Sequence, residues 1–100
     1  MEDIKTEVSE KKDDIYTYFV SNTPVMQTAV DVLSILAKNK VVKLRAKGFS
    51  IPNAVAVANI ITEKMLPGNS KTEDITVDSE IGTQELGRMI STIEIILMKV

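Results

Sequence analysis

One hundred residues are enough for one compact domain around a single core and too few for two. An apolar fraction of 44% and a charged fraction of 26% are those of an ordinary globular chain, and the lack of cysteine excludes a disulfide framework, thiolate zinc sites and thiol catalysis. The formal charge of −2 argues against a strongly basic nucleic-acid binder, but it averages over a polarised chain.

Residues 1–14 hold six acids and three bases, lack hydrophobic periodicity and carry no apolar h-region. They read as an acidic, solvated and mobile tail rather than a secretion signal. No run is long enough to span a bilayer, so a cytoplasmic protein is the simplest expectation. Residues 15–100 then form the domain. A first strand is expected over about Ile15–Ser21, rich in β-branched and aromatic residues. Asn22 or Thr23 is placed to cap a first helix, with Pro24 in its first turn. Val25, Ala29, Val32, Leu33 and Leu36 form its buried stripe, and Asn39 is the expected stop.

The second strand, Val41–Lys47, alternates strictly. Lys43, Arg45 and Lys47 share one face, about 7 Å apart, and Val42, Leu44 and Ala46 share the other. Gly48 supplies a permissive turn. Ser50 is placed to cap a second helix with Pro52 in its first turn and apolar positions at Ala54, Val55, Val57, Ala58, Ile61 and Met65. Leu66–Ser70, LPGNS, breaks it.

A third strand is expected over about Thr72–Ile81, where Ile75, Val77 and Ile81 alternate with Thr76, Asp78 and Glu80. A hairpin loop at Gly82–Gly87 leads to a strongly β-forming fourth strand, Arg88–Lys99. Ile93, Ile95 and Leu97 should face the helices. Ile96 and Met98 break the polar pattern of the opposite face, which suggests a partner subunit there. The order β-α-β-α-β-β describes an α+β, two-layer sandwich with two helices on one face of a four-stranded sheet.

Charge is concentrated. Between Lys38 and Asn53 lie five bases and no acid, whereas from Lys71 to Glu94 six acids face two bases. A local positive field can therefore exist on a nearly neutral body.

The sequence resembles the Alba family, small dimeric nucleic-acid-binding proteins of archaeal chromatin with eukaryotic RNA-binding relatives. The residues that carry the resemblance are Pro24-Val25-Met26, the Lys43–Gly48 strand and turn, Ile51, Ala54-Val55, Leu66-Pro67 and Ser91-Thr92-Ile93-Glu94-Ile95, in order over roughly Tyr18 to Lys99. The resemblance implies a mixed sheet whose last strand is antiparallel to its neighbours, and a homodimer with two hairpin arms. A duplex would lie across the dimer, and a second contact near the end of helix two would join dimers side by side. The departures are specific. Asn22 and Thr23 stand where the family usually has lysines, one of them an acetylation target, so control at that position is lost. Phe49 stands for an arginine, Asn53 for a lysine, and Met65 for an apolar aromatic of the dimer–dimer contact. The hairpin is short and carries Arg88 as its one base.

Each candidate residue has two readings. Lys43, Arg45 and Lys47 are a solvated face or phosphate ligands, and agreement with the family favours phosphate for Arg45 and Lys47. Such contacts position nucleic acid without reading sequence and are salt-sensitive. Asn22, Thr23, Ser50 and Asn53 lie at helix N-termini, where they serve as ordinary caps or hydrogen-bond phosphate and sugar. Phe49 stacks on an unpaired base or packs against the first helix of its own or a partner subunit. Arg88 reaches a groove or pairs with Glu85. Asp78 and Glu80 share a strand face, as magnesium-binding or acid–base pairs do. The chain has no histidine, Gly-rich phosphate loop or serine-nucleophile signature, so they read as a solvated edge. No catalysis, metal, cofactor or small-molecule substrate is expected. The expected function is non-specific DNA or RNA binding by an archaeal chromosomal protein. The rival is a diverged scaffold acting through protein contacts, for example with a more basic paralogue.

Overall fold

The computed structural model describes residues 15–82 and 88–100. Its elements are β1 (Tyr16–Phe19), α1 (Val25–Asn39), β2 (Val41–Lys47), a 3₁₀ turn (Gly48–Ser50), α2 (Ile51–Ile60) running into a π turn (Ile61–Met65), β3 (Ser70–Gly82) and β4 (Arg88–Lys99). The acidic segment 1–14 and the hairpin loop 83–87 lie outside the described residues.

The strands form one sheet in the order β1-β2-β4-β3. β1 runs parallel to β2, and β4 is antiparallel to both β2 and β3, as expected. Alternation decides which side is dry. Val42, Leu44, Ala46, Ile93, Ile95 and Leu97 turn to one face and are buried. Against them pack Ala29, Val32 and Leu36 of α1 and Ala54, Val57 and Ala58 of α2, with Ile61. Burying a side chain the size of Leu44 contributes about 1.5–3 kcal/mol. The alanines of α2 keep that helix close to the sheet. Among the described residues no helix is long and apolar enough to cross a membrane.

The ends of the elements depart from expectation. Neither Asn22 nor Thr23 caps α1; Pro24 holds the cap position, and no side-chain oxygen serves it. The Pro24 carbonyl instead accepts the Thr28 N–H at 3.1 Å. α1 does end at Asn39, but Lys40, not Asn39, turns left-handed with φ +70° and donates its N–H to Leu36 O at 2.8 Å. Ser50 does not cap α2 either, because the 3₁₀ turn feeds straight into the helix and leaves Ser50 itself helical. Gly48, at φ +53°, takes the sharp corner that starts this turn.

The hairpin is longer than the sequence reading: β3 and β4 pair from Ser70↔Lys99 to Gly82↔Arg88, interrupted by a bulge between Thr72 and Asp74. The helices cover β4 but only the start of β3, so Ile75 and Val77, which share the dry face of Ile95 and Ile93, are left exposed. The expected uncovered apolar surface is therefore displaced. Ile96 and Met98 are half-buried among their sheet neighbours, and the exposed apolar side chains lie on the helix side of the arm.

Candidate nucleic-acid interface

Because β1 and β2 are parallel, their C-terminal ends leave the sheet at the same edge and deliver two helix N-termini side by side. The two connections are tied together: Asn53 Nδ2 donates to Ser21 O at 2.9 Å, and Val20 N–H donates to Arg45 O at 2.8 Å. The start of α2 is thereby tied, across 32 residues of sequence, to the connection that carries Asn22 and Thr23. Thr23 is engaged with Ser21, hydroxyl to hydroxyl at 3.3 Å. Asn53 acts first as a clamp between loops, a role the sequence reading did not give it. Its amide oxygen remains for another donor.

The three cations of β2 point to the helix-free face, each opposite a residue of β4: Lys43 against Ile96, Arg45 against Glu94, Lys47 against Thr92. That register brings acids among them. Arg45 Nε lies 3.0 Å from Glu94 Oε2, Lys43 Nζ 3.9 Å from Glu94 Oε1, and Lys47 Nζ 3.4 Å from Glu80 Oε1. Partly exposed pairs of this kind contribute about 0–1 kcal/mol and exchange readily for another anion. Lys47 is the most exposed of the three, and Lys43 the least.

Phe19 was missed by sequence reasoning. It pairs with Arg45 across the parallel ladder, is 66% exposed on the same face, and has the Arg45 guanidinium carbon 5.9 Å from its ring centre. The signal was its phase: Tyr18 and Val20 point inward, so Phe19 must point out. Phe19, Val20, Arg45, Ala46, Lys47 and Ser50 surround a hollow of about 230 Å³. A second hollow of about 300 Å³ lies on the other side of Arg45, ringed by Thr76, Asp78, Ser79, Glu80, Thr92 and Glu94. Asp78 and Glu80 do share this face, and Asp78 Oδ1 accepts the Ser79 N–H at 2.7 Å. No group of three acids, histidines or cysteines is arranged for a metal ion among the described residues.

Phe49 is 97% exposed, which overturns packing against the first helix of its own subunit. It stands at the mouth of a wide cleft of about 670 Å³ between the 3₁₀ turn and the base of the arm, lined by Ile51, Pro52, Met89 and Ile90 among others. Arg88 opens β4 opposite Gly82, far out on the arm, and its possible partner Glu85 lies outside the described residues. Met65 is half-buried against the core, so the solvent surface at that end of α2 belongs to Glu63 and Lys64.

Comparison with known proteins agrees with this fold. The family model described as Alba matches residues 17–79. "DNA/RNA-binding protein Alba 1" of Archaeoglobus fulgidus is 37% identical over 86 residues, covering 81% of this chain and 92% of that protein. "DNA/RNA-binding protein Alba" of Nitrosopumilus maritimus is 36% identical over 81 residues, 79% of this chain and 85% of the other. Among solved structures, Alba from Thermoplasma volcanium superposes with a TM-score of 0.74 at 33% identity, covering 83% of this chain and 99% of that one. ALBA1 from Trypanosoma brucei shares the fold, with a TM-score of 0.68 at 19% identity over 84% of this chain and 68% of its own.

Proposed function

The chain belongs to the Alba family, and from that premise we propose that it binds DNA or RNA as a dimer, through phosphates and without reading sequence. It is a binding protein, not an enzyme, and is placed by this reading on the archaeal chromosome in the cytoplasm. One observation carries the proposal: Arg45 and Lys47 stand in a row toward the C-terminal end of β2, where both helix N-termini and the base of the arm converge. Arg45 and Lys47 take phosphates. Lys43, more enclosed and held by Glu94, contributes less. Ser50, Asn53, Asn22 and Thr23 add uncharged hydrogen bonds, Phe49 an apolar contact, and Arg88 a cation on the arm. The dimer is supported by Val55, Ile75, Val77 and Met89, apolar side chains exposed on and beside the helix layer. Contact between dimers would fall near Met65, on Glu63 and Lys64.

Titrating labelled duplex DNA and structured RNA by anisotropy at several salt concentrations tests this. With about four phosphates neutralised per dimer, log affinity should fall against log salt with a slope near −3.6. No binding near about 20 mM salt with an intact dimer would overturn it, since weak screening there favours phosphate contacts most. That outcome would favour the second reading, a scaffold that pairs with a more basic paralogue. Its own support is that Lys43, Arg45 and Lys47 each already have a carboxylate partner.

A further inference from the structure

We propose that the hollow between Phe19, Arg45, Lys47 and Ser50 is a binding site for one unpaired nucleotide, its base stacked on Phe19 and its phosphate held by Arg45 and Lys47. This rests on the nucleic-acid-binding reading and adds to it a site and a strand state. Three observations converge on it. Phe19 is a large ring on a face where its neighbours are charged or hydroxylic rather than apolar, and among the described residues it stays 66% exposed. The Arg45 guanidinium lies 5.9 Å from the ring centre. A group packed flat on the ring would sit about 3.5–4 Å away, so the guanidinium, over the ring at 5.9 Å, is not in stacking contact with it.

The third observation is charge. Among the described residues the lining of this hollow contains two cations and no acid, whereas the neighbouring hollow on the same face contains Asp78, Glu80 and Glu94. A phosphate is therefore directed to the Phe19 side. Glu94 Oε2 meets Arg45 at Nε, 3.0 Å away, and the guanidinium fork carries two further terminal nitrogens that can donate to a phosphate. β1 is an edge strand, so a single strand can cross Phe19 and leave over the rim of the sheet. A base inside a duplex is stacked on both faces and cannot meet the ring. Phe49, though more exposed, lines a cleft without a charged residue and has no such phosphate partner.

The test compares the full-length protein with Phe19→Ala and Phe19→Trp on oligodeoxythymidylate, oligouridylate and a blunt DNA duplex at one salt concentration. Phe19→Ala should lower affinity for both single strands about fivefold or more and duplex affinity less than twofold, because base–aromatic stacking is sequence-tolerant and blind to the sugar. A loss confined to one of the two oligomers would replace this shared platform with a sugar-specific contact and overturn it. Phe19→Trp keeps a stacking surface and should restore single-strand binding. The chain has no tryptophan, so the new indole is the sole one, and single strands should quench it while duplex leaves it unchanged. Equal losses on all three ligands, or no loss, with circular dichroism intact, would overturn the site. A wild-type protein that binds none of the ligands would bring down the broader reading as well.

Discussion

The helix-free face of the sheet is divided by Arg45. On the β1 side lie an aromatic ring, two cations and no acid; on the β3 side three carboxylates and two threonines surround a hollow of similar size. Both halves are built on strands of one sheet, and they differ in charge and in the Phe19 ring. A net charge of −2 is thus compatible with an anion-binding face, because what a phosphate meets is the field within a Debye length of about 8–10 Å, not the sum over the chain.

If the basic half does the binding, removing it should have the largest effect. Arg45→Ala with Lys47→Ala should weaken binding to all duplex sequences alike, by about tenfold or more at low salt, and reduce the salt slope of the dimer by up to about 3.6. An unchanged slope in the anisotropy titration would break the comparison outright. The same strand offers the control. Leu44, next to Arg45 in sequence, is fully buried on the other face; Leu44→Ala should cost about 2–5 kcal/mol in chemical denaturation, a loss of fold rather than of field.

The acid half can be tested by gain. Glu94 stands opposite Arg45 and contacts both Arg45 and Lys43, so it occupies the cations a phosphate would use. Glu94→Gln keeps the shape, frees both, and should raise affinity roughly three- to tenfold while costing less than about 1 kcal/mol of stability. Glu80→Gln should act in the same direction but more weakly, since the Lys47–Glu80 pair is longer and more exposed. If either substitution lowers affinity, the carboxylates position the cations rather than compete for them.

Much of this was legible in the sequence. The bounds of β2 and β4 follow from strict alternation and from a dense run of β-branched residues, both local signals. The caps were not legible, because Pro24 and the 3₁₀ turn start the helices without a side-chain oxygen, and Lys40 rather than Asn39 accepts the left-handed corner. The pairing of Arg45 with Glu94 was hidden for a different reason. It depends on the register between strands some 50 residues apart, and one strand's pattern shows its faces but not its neighbours. The Asn53–Ser21 clamp is hidden likewise.

The smallest expected effect comes from Tyr18, which precedes Phe19 but faces the helix side. Its hydroxyl donates to Asp31 Oδ2 on α1 at 3.4 Å, a long bond. Burial pushes its pKa above the usual value near 10, and the adjacent Asp31 charge pushes the same way. Both disfavour the phenolate in the folded chain alone. Tyr18 therefore contributes stability that is complete below the unfolded pKa of about 10 and is lost as pH rises through the raised folded value. Tyr18→Phe should cost less than about 1 kcal/mol at pH 7 and should flatten the fall of stability above pH 10. Denaturation midpoints at pH 7 to 11 would show this, and nucleic-acid affinity at pH 7 should not change. If Tyr18→Phe weakened single-strand binding as Phe19→Ala does, the loss would belong to the edge strand as a whole, and the division of the face at Arg45 would not explain it.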